Sequence, residues 1–66
     1  MVRSGQLVRV NEHIRLSDAD TRMATEHGTL WITRRDRGDG LWECTALTTS
    51  AEHLWWTYEF TVAGKE

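Results

Sequence analysis

The residues from position 54 to 62 constrain the fold more than any other stretch. Leu54, Trp56, Tyr58, Phe60 and Val62 fall on one parity, and Trp55, Thr57, Glu59 and Thr61 on the other. A period of two in aromatic and β-branched residues predicts a strand with one buried face, because a helix would scatter these rings around its axis. Neighbours on a strand point to opposite faces, so Trp55 and Trp56 cannot both enter one core from a regular strand. The same rule separates Trp31 from Leu30 and Ile32. It predicts Trp42 and Trp56 inside, with Tyr58 and Phe60 nearby, and Trp31 and Trp55 on the outer face.

The middle of the chain reads as a hairpin. Thr29 to Arg35 and Leu41 to Leu47 are strand-like runs joined by Asp36-Arg37-Gly38-Asp39-Gly40. The two glycines supply the positive φ that a tight connection needs. Placing Arg35 opposite Leu41 sets Ile32 against Cys44, Leu30 against Ala46 and Arg34 against Trp42 on one face. Trp31 then faces Thr45, and Thr33 faces Glu43, on the other. Earlier in the chain, Val8, Val10, Ile14 and Leu16 share a parity that Glu12 interrupts, so Asn11-Glu12 is a bulge or a turn splitting the run. Ser17 to His27 reads as either a short helix or an extended ordered loop. Ser17 with Asp20 three residues on is a capping pattern and Gly28 a helix stop, but Ala19, Met23 and Ala24 are thin apolar content. Ser50 to His53 reads as a single helical turn before the last strand.

These elements predict an all-β fold: a small barrel or a strongly curved antiparallel sheet of four to five strands. A first strand, a long polar connection, a glycine-tipped hairpin, a brief turn and a last strand follow in that order. The layout resembles that of small SH3-like barrels. The resemblance lies in the order of elements and carries over no functional residues. The alternative is an α+β fold with one short helix at about 17–27 against an antiparallel sheet.

At 66 residues the chain is expected to form a single small domain, whose stability is marginal because so short a chain buries only about 60% of its unfolded surface. Folds of this size lean on a disulfide, a metal, a partner subunit or a dense core. One cysteine cannot close an internal disulfide. His13, His27, His53 and Cys44 lack the short spacings of a structural zinc site, so no metal and no cofactor is expected. Seven of the eight basic residues are arginine, a bias expected of a bacterial or phage source. No apolar run is long enough to span a membrane, and Met1 to Gly5 holds no signal-peptide core. The unpaired cysteine suits a reducing cytoplasm.

No motif identifies a reaction or a ligand. Cys44 falls on the core parity and so lacks the exposure a nucleophile needs. No carboxylate pair is set apart by an apolar setting, and Gly38 and Gly40 sit in a hairpin rather than in a phosphate loop. The expectation is a non-enzymatic protein-interaction module. It would dock Trp31, Trp55, Arg34, Arg35 and Arg37 on a protein partner or on its own copy, because tryptophan and arginine anchor interfaces. A small bacterial or phage accessory regulator or inhibitor fits that description. The alternative is a nucleic-acid-binding barrel using the arginine-rich hairpin and exposed aromatics. A net charge of −2, with Asp36 and Asp39 in the same loop, counts against it.

Overall fold

The computed structural model describes residues 2–63. Met1, at the head of the segment read for a signal, and the last three residues lie outside the described residues. Five strands form one antiparallel sheet: β1 (Leu7–Val10), β2 (Leu30–Gly38), β3 (Leu41–Ala46), β4 (Glu52–Trp56) and β5 (Phe60–Val62). Their order across the sheet is β4-β3-β2-β1-β5. The sheet does not close, and β4 and β5 are its edges. One helix, α1 (Asp18–His27), fills the β1–β2 connection, and a 3-10 turn, η1 (Thr57–Glu59), links β4 to β5. The fold thus has the expected layout of strands, together with the helix of the α+β alternative.

The first run of alternation ends at Val10, and the chain turns over residues 12–14, so the splitting turn is what forms at Asn11-Glu12. Helix α1 starts where its cap predicts: the Ser17 hydroxyl accepts the Asp20 amide at 3.1 Å, and Gly28 stops it at φ 86°. The helical turn expected at Ser50–His53 lies elsewhere. The β3–β4 loop carries it, with Ser50 N donating to Ala46 O at 3.0 Å, and residues 52 and 53 are already strand.

The β2–β3 hairpin corrects both its predicted loop and its predicted register. Gly38 pairs with Leu41, so the connection is the two residues Asp39-Gly40, at φ 56° and 85°. Positive φ at both central residues is what a two-residue type I′ turn requires. Strand β2 therefore runs on through Asp36 and Arg37, and absorbs the extra length in register shifts between Thr33 and Arg35 and between Asp36 and Gly38. Trp31 pairs with Ala46 and Thr33 with Cys44, in place of Leu30 with Ala46 and Ile32 with Cys44.

That shift decides the core. Trp31, Thr33, Trp42, Cys44, Ala46 and Trp55 are buried, joined by Val8, Val10 and Phe60. Trp31 and Trp55, expected on the outer face, are fully buried, and their rings meet edge to face at 5.5 Å. Trp56, expected inside, is 38% exposed, and Tyr58 is 67% exposed. The 3-10 turn is the cause. It breaks the alternation after Trp56, so Trp55 and Phe60 reach one core although their parities differ. Trp42 is buried as predicted. The helix covers this face with Ala24 and half-buried Met23. The chain gets its support from an aromatic-dense core, which suits a domain too small for a large aliphatic one.

Candidate functional site

The opposite face of the sheet is where the polar chemistry lies. Strand alternation there brings together Arg35 of β2, Leu41, Glu43 and Thr45 of β3, and Glu52, Leu54 and Trp56 of β4. Arg34, at the first register shift, donates its Nε to Thr45 Oγ1 at 3.2 Å. Arg37, at the second, donates to Glu43 Oε2 at 2.6 Å. An open groove of about 710 Å³ follows, lined by Arg34, Arg37, Glu43, Thr45, Glu52 and Leu54.

Beyond the groove, at the β4 edge, stand two large exposed rings. Trp56 and Tyr58 stack with planes 17° apart and centroids at 6.5 Å. Leu54 is exposed beside them, and β4 pairs only with β3. The structure therefore gathers Arg34, Arg35 and Arg37 on the surface as expected, but withdraws Trp31 and Trp55 from it. A ring with no accessible surface cannot touch a partner in this conformation, so Trp56 and Tyr58 take their place as surface aromatics. Sequence parity missed them because η1 is local. Its one sequence trace is Glu59, three residues after Trp56, whose Oε1 accepts the Trp56 amide at 2.8 Å.

A second arrangement lies on the covered side. Asp20 of α1 meets His53 of β4, with Oδ1 and Nε2 2.7 Å apart. Glu59 of η1 is buried, and the Asp20 carboxyl acts on it electrostatically. Burial and the Asp20 carboxyl push Glu59 up to about 7. Burial works against ionised Asp20 too. The Glu59 carboxyl, hydrogen bonds with His53 and Ser17, and the His53 charge outweigh that and hold it below the usual carboxylate range. No motif joins these residues, and only the docking of α1 on the sheet brings them together.

Cys44 is buried, and its thiol is pushed up to about 12 by that burial. A thiol so placed is neutral at physiological pH and shielded from reagents. Among the described residues no group of three or more His, Cys, Asp or Glu side chains is arranged to hold a metal ion, and no helix is long and apolar enough to cross a membrane. Comparison with known proteins finds no matching family model, no matching curated protein and no matching solved structure.

Proposed function

We propose that this chain is a non-enzymatic, cytoplasmic protein-interaction module that docks a protein partner, or its own copy, on the outer face of β2–β3–β4. The stacked Trp56–Tyr58 pair at an unpaired sheet edge is the observation that carries this reading. Exposed aromatics beside arginines are the residue types that dominate binding energy at protein interfaces. Arg34, Arg35 and Arg37 form the rim, and Leu54 continues the apolar strip. An accessory regulator or inhibitor would act in this way, by occupying a partner's surface.

The same residues invite a nucleic-acid reading, since aromatic platforms beside arginines also stack bases. Charge argues against it. Glu43 and Glu52 line the groove, and Arg37 is already paired with Glu43. Phosphates would meet two carboxylates there, whereas a protein surface can complement both signs.

The test compares wild type with Trp56→Ala and Tyr58→Ala in sedimentation and in capture from a source-cell lysate, each at low and high salt. The expected result is association that is lost in both variants, retained at high salt and accompanied by unchanged melting. Binding that both variants keep would overturn the reading. So would binding to nucleic acid that falls steeply with salt.

A further inference from the structure

Main-chain groups alternate along an antiparallel strand between facing the neighbour and facing away. At the two ends of the β3–β4 ladder, Ala51 O accepts from Ala46 N at 2.7 Å and Thr57 N donates to Gly40 O at 2.8 Å. His53 and Trp55 therefore turn their N–H and C=O to β3, whereas Glu52, Leu54 and Trp56 turn theirs to the open edge. Glu59 closes one end of that edge, because its Oε1 accepts the Trp56 amide at 2.8 Å. Among the described residues nothing bonds the outward amide or carbonyl of Leu54.

Strand β4 lacks the proline, lysine and bulge by which natural edge strands resist pairing. Its five residues run beside β3 without a register shift. The other edge, β5, is only three residues long. Next to the free groups of β4 the side chains are apolar: Leu54 is exposed, with the stacked Trp56 and Tyr58 beyond it. A row of unmet main-chain groups is satisfied by another strand, and this one is complementary to itself.

We propose that the occupant of this edge is a second copy of the chain, whose β4 pairs antiparallel with the first about a two-fold axis at Leu54. This rests on the reading of the β4 edge as a docking surface and names what docks there. At the axis each Leu54 N–H donates to the Leu54 carbonyl of the other copy. The two leucines lie side by side on the outer face, and Trp56 of each copy is diagonal to Leu54 of the other. An apolar strip then runs from Tyr58 of one copy, through the axis, to Tyr58 of the other. Glu52 falls opposite Trp56 and His53 opposite Trp55, so no like charges meet. Other registers fit less well. Glu52 against Glu52 sets two carboxylates together. Leu54 against Trp56 calls on the amide that Glu59 already holds. Glu52 against Leu54 brings His53 onto its own copy and places Trp56 opposite Ser50, beyond the strand, which leaves the rings uncovered. A partner subunit is also a usual support for so short a chain.

The experiment is sedimentation across a concentration series, with hydrogen exchange of single amides and a melt of each variant. Wild type is expected to dimerise. Its Leu54 amide should exchange more slowly as concentration rises, while the Trp56 amide, bonded within each copy, does not respond. Leu54→Lys and Leu54→Glu should each dimerise at least about tenfold more weakly, because the axis sets each new charge against itself. An equimolar mixture of the two should regain a dimer, since opposite charges then meet. N-methylation of the Leu54 amide, in synthetic protein, keeps the side chain and should weaken the dimer on a similar scale. Wild type that stays monomeric at every concentration overturns the proposal, as does a mixture no tighter than its parts. A dimer lost in Trp56→Ala yet indifferent to N-methylation overturns it too, because the copies would then meet by their faces. If either charged variant does not fold, the N-methyl protein decides, and an unchanged dimer there overturns the proposal. The docking reading falls on a different result, binding to a partner that survives both Trp56→Ala and Tyr58→Ala.

Discussion

Adjacent tryptophans with opposite fates are the sharpest residue-scale feature of this chain. Trp55→Ala should cost roughly 3–5 kcal/mol, the usual price of emptying a buried aromatic site, and should unfold a marginal domain. Trp56→Ala should leave the melting curve almost unchanged. Chemical denaturation of the two variants side by side checks this, and equal destabilisation would mean that the faces are not assigned as described. A finer contrast concerns the indole nitrogens. Trp31 Nε1 donates to Gly28 O at 2.9 Å, whereas Trp55 Nε1 is buried with no acceptor. Replacing each with phenylalanine removes similar area. Only the Trp31 change breaks a hydrogen bond, and the Trp55 change removes an unmet donor. Trp31→Phe should therefore be the more damaging by about 1 kcal/mol or more. Parity could not have ranked these residues, because it treats each strand as regular. It succeeded in β3, where Trp42, Cys44 and Ala46 point inward in unbroken alternation. It failed in β2 and β4, where a register shift or a 3-10 turn moves the inward set by one residue.

At the scale of elements, the legible features were those with a local chemical signature. Ser17 with Asp20, and Gly28 after His27, marked the ends of a helix that the sequence left open against a loop, and Gly38 with Gly40 marked a hairpin whose turn is the shorter Asp39-Gly40. What stayed hidden depends on pairing across the sheet. Nothing near Arg34 or Arg37 announces a register shift, since the shift exists only relative to β3. The arginines of the candidate surface were legible as charged hairpin residues, whereas Asp20, His53 and Glu59 meet only through tertiary docking. Two predictions belong here. Ser17→Ala should cost about 1 kcal/mol by removing the helix cap, read as a lower melting temperature with reduced helical ellipticity. In the hairpin, Gly38 and Gly40 both hold positive φ, but a Cβ at Gly40 would lie 3.1 Å from Thr57 Oγ1, while one at Gly38 meets nothing within 4 Å. Gly40→Ala should therefore destabilise more than Gly38→Ala, both by about 1 kcal/mol or more because of the strained backbone. Equal melting temperatures for wild type and Gly40→Ala would contradict the turn.

For the molecule as a whole, the seam between helix and sheet sets how stability varies with pH, and its two carboxyls act with opposite signs. Glu59 rises from 4.5 to about 7 on folding, so the native state holds a proton that the unfolded chain releases. Its contribution is complete below about 4.5 and is lost as pH climbs towards 7. Asp20 moves the other way, below its ordinary 3.8. Its contribution is present above 3.8 and is lost as pH falls through the lowered native value. Between these limits both terms favour the fold, which places maximal stability in mildly acidic solution, near ~pH 4–5, rather than at neutrality. Cys44 adds a separate alkaline loss between 9 and about 12, since burial resists thiolate formation. Cys44→Ala should remove that last step and leave the earlier one intact. Thermal melts at closely spaced pH values decide the matter. A stability maximum at or above pH 7 would mean that Glu59 is ionised in the folded protein, and that burial does not hold its proton.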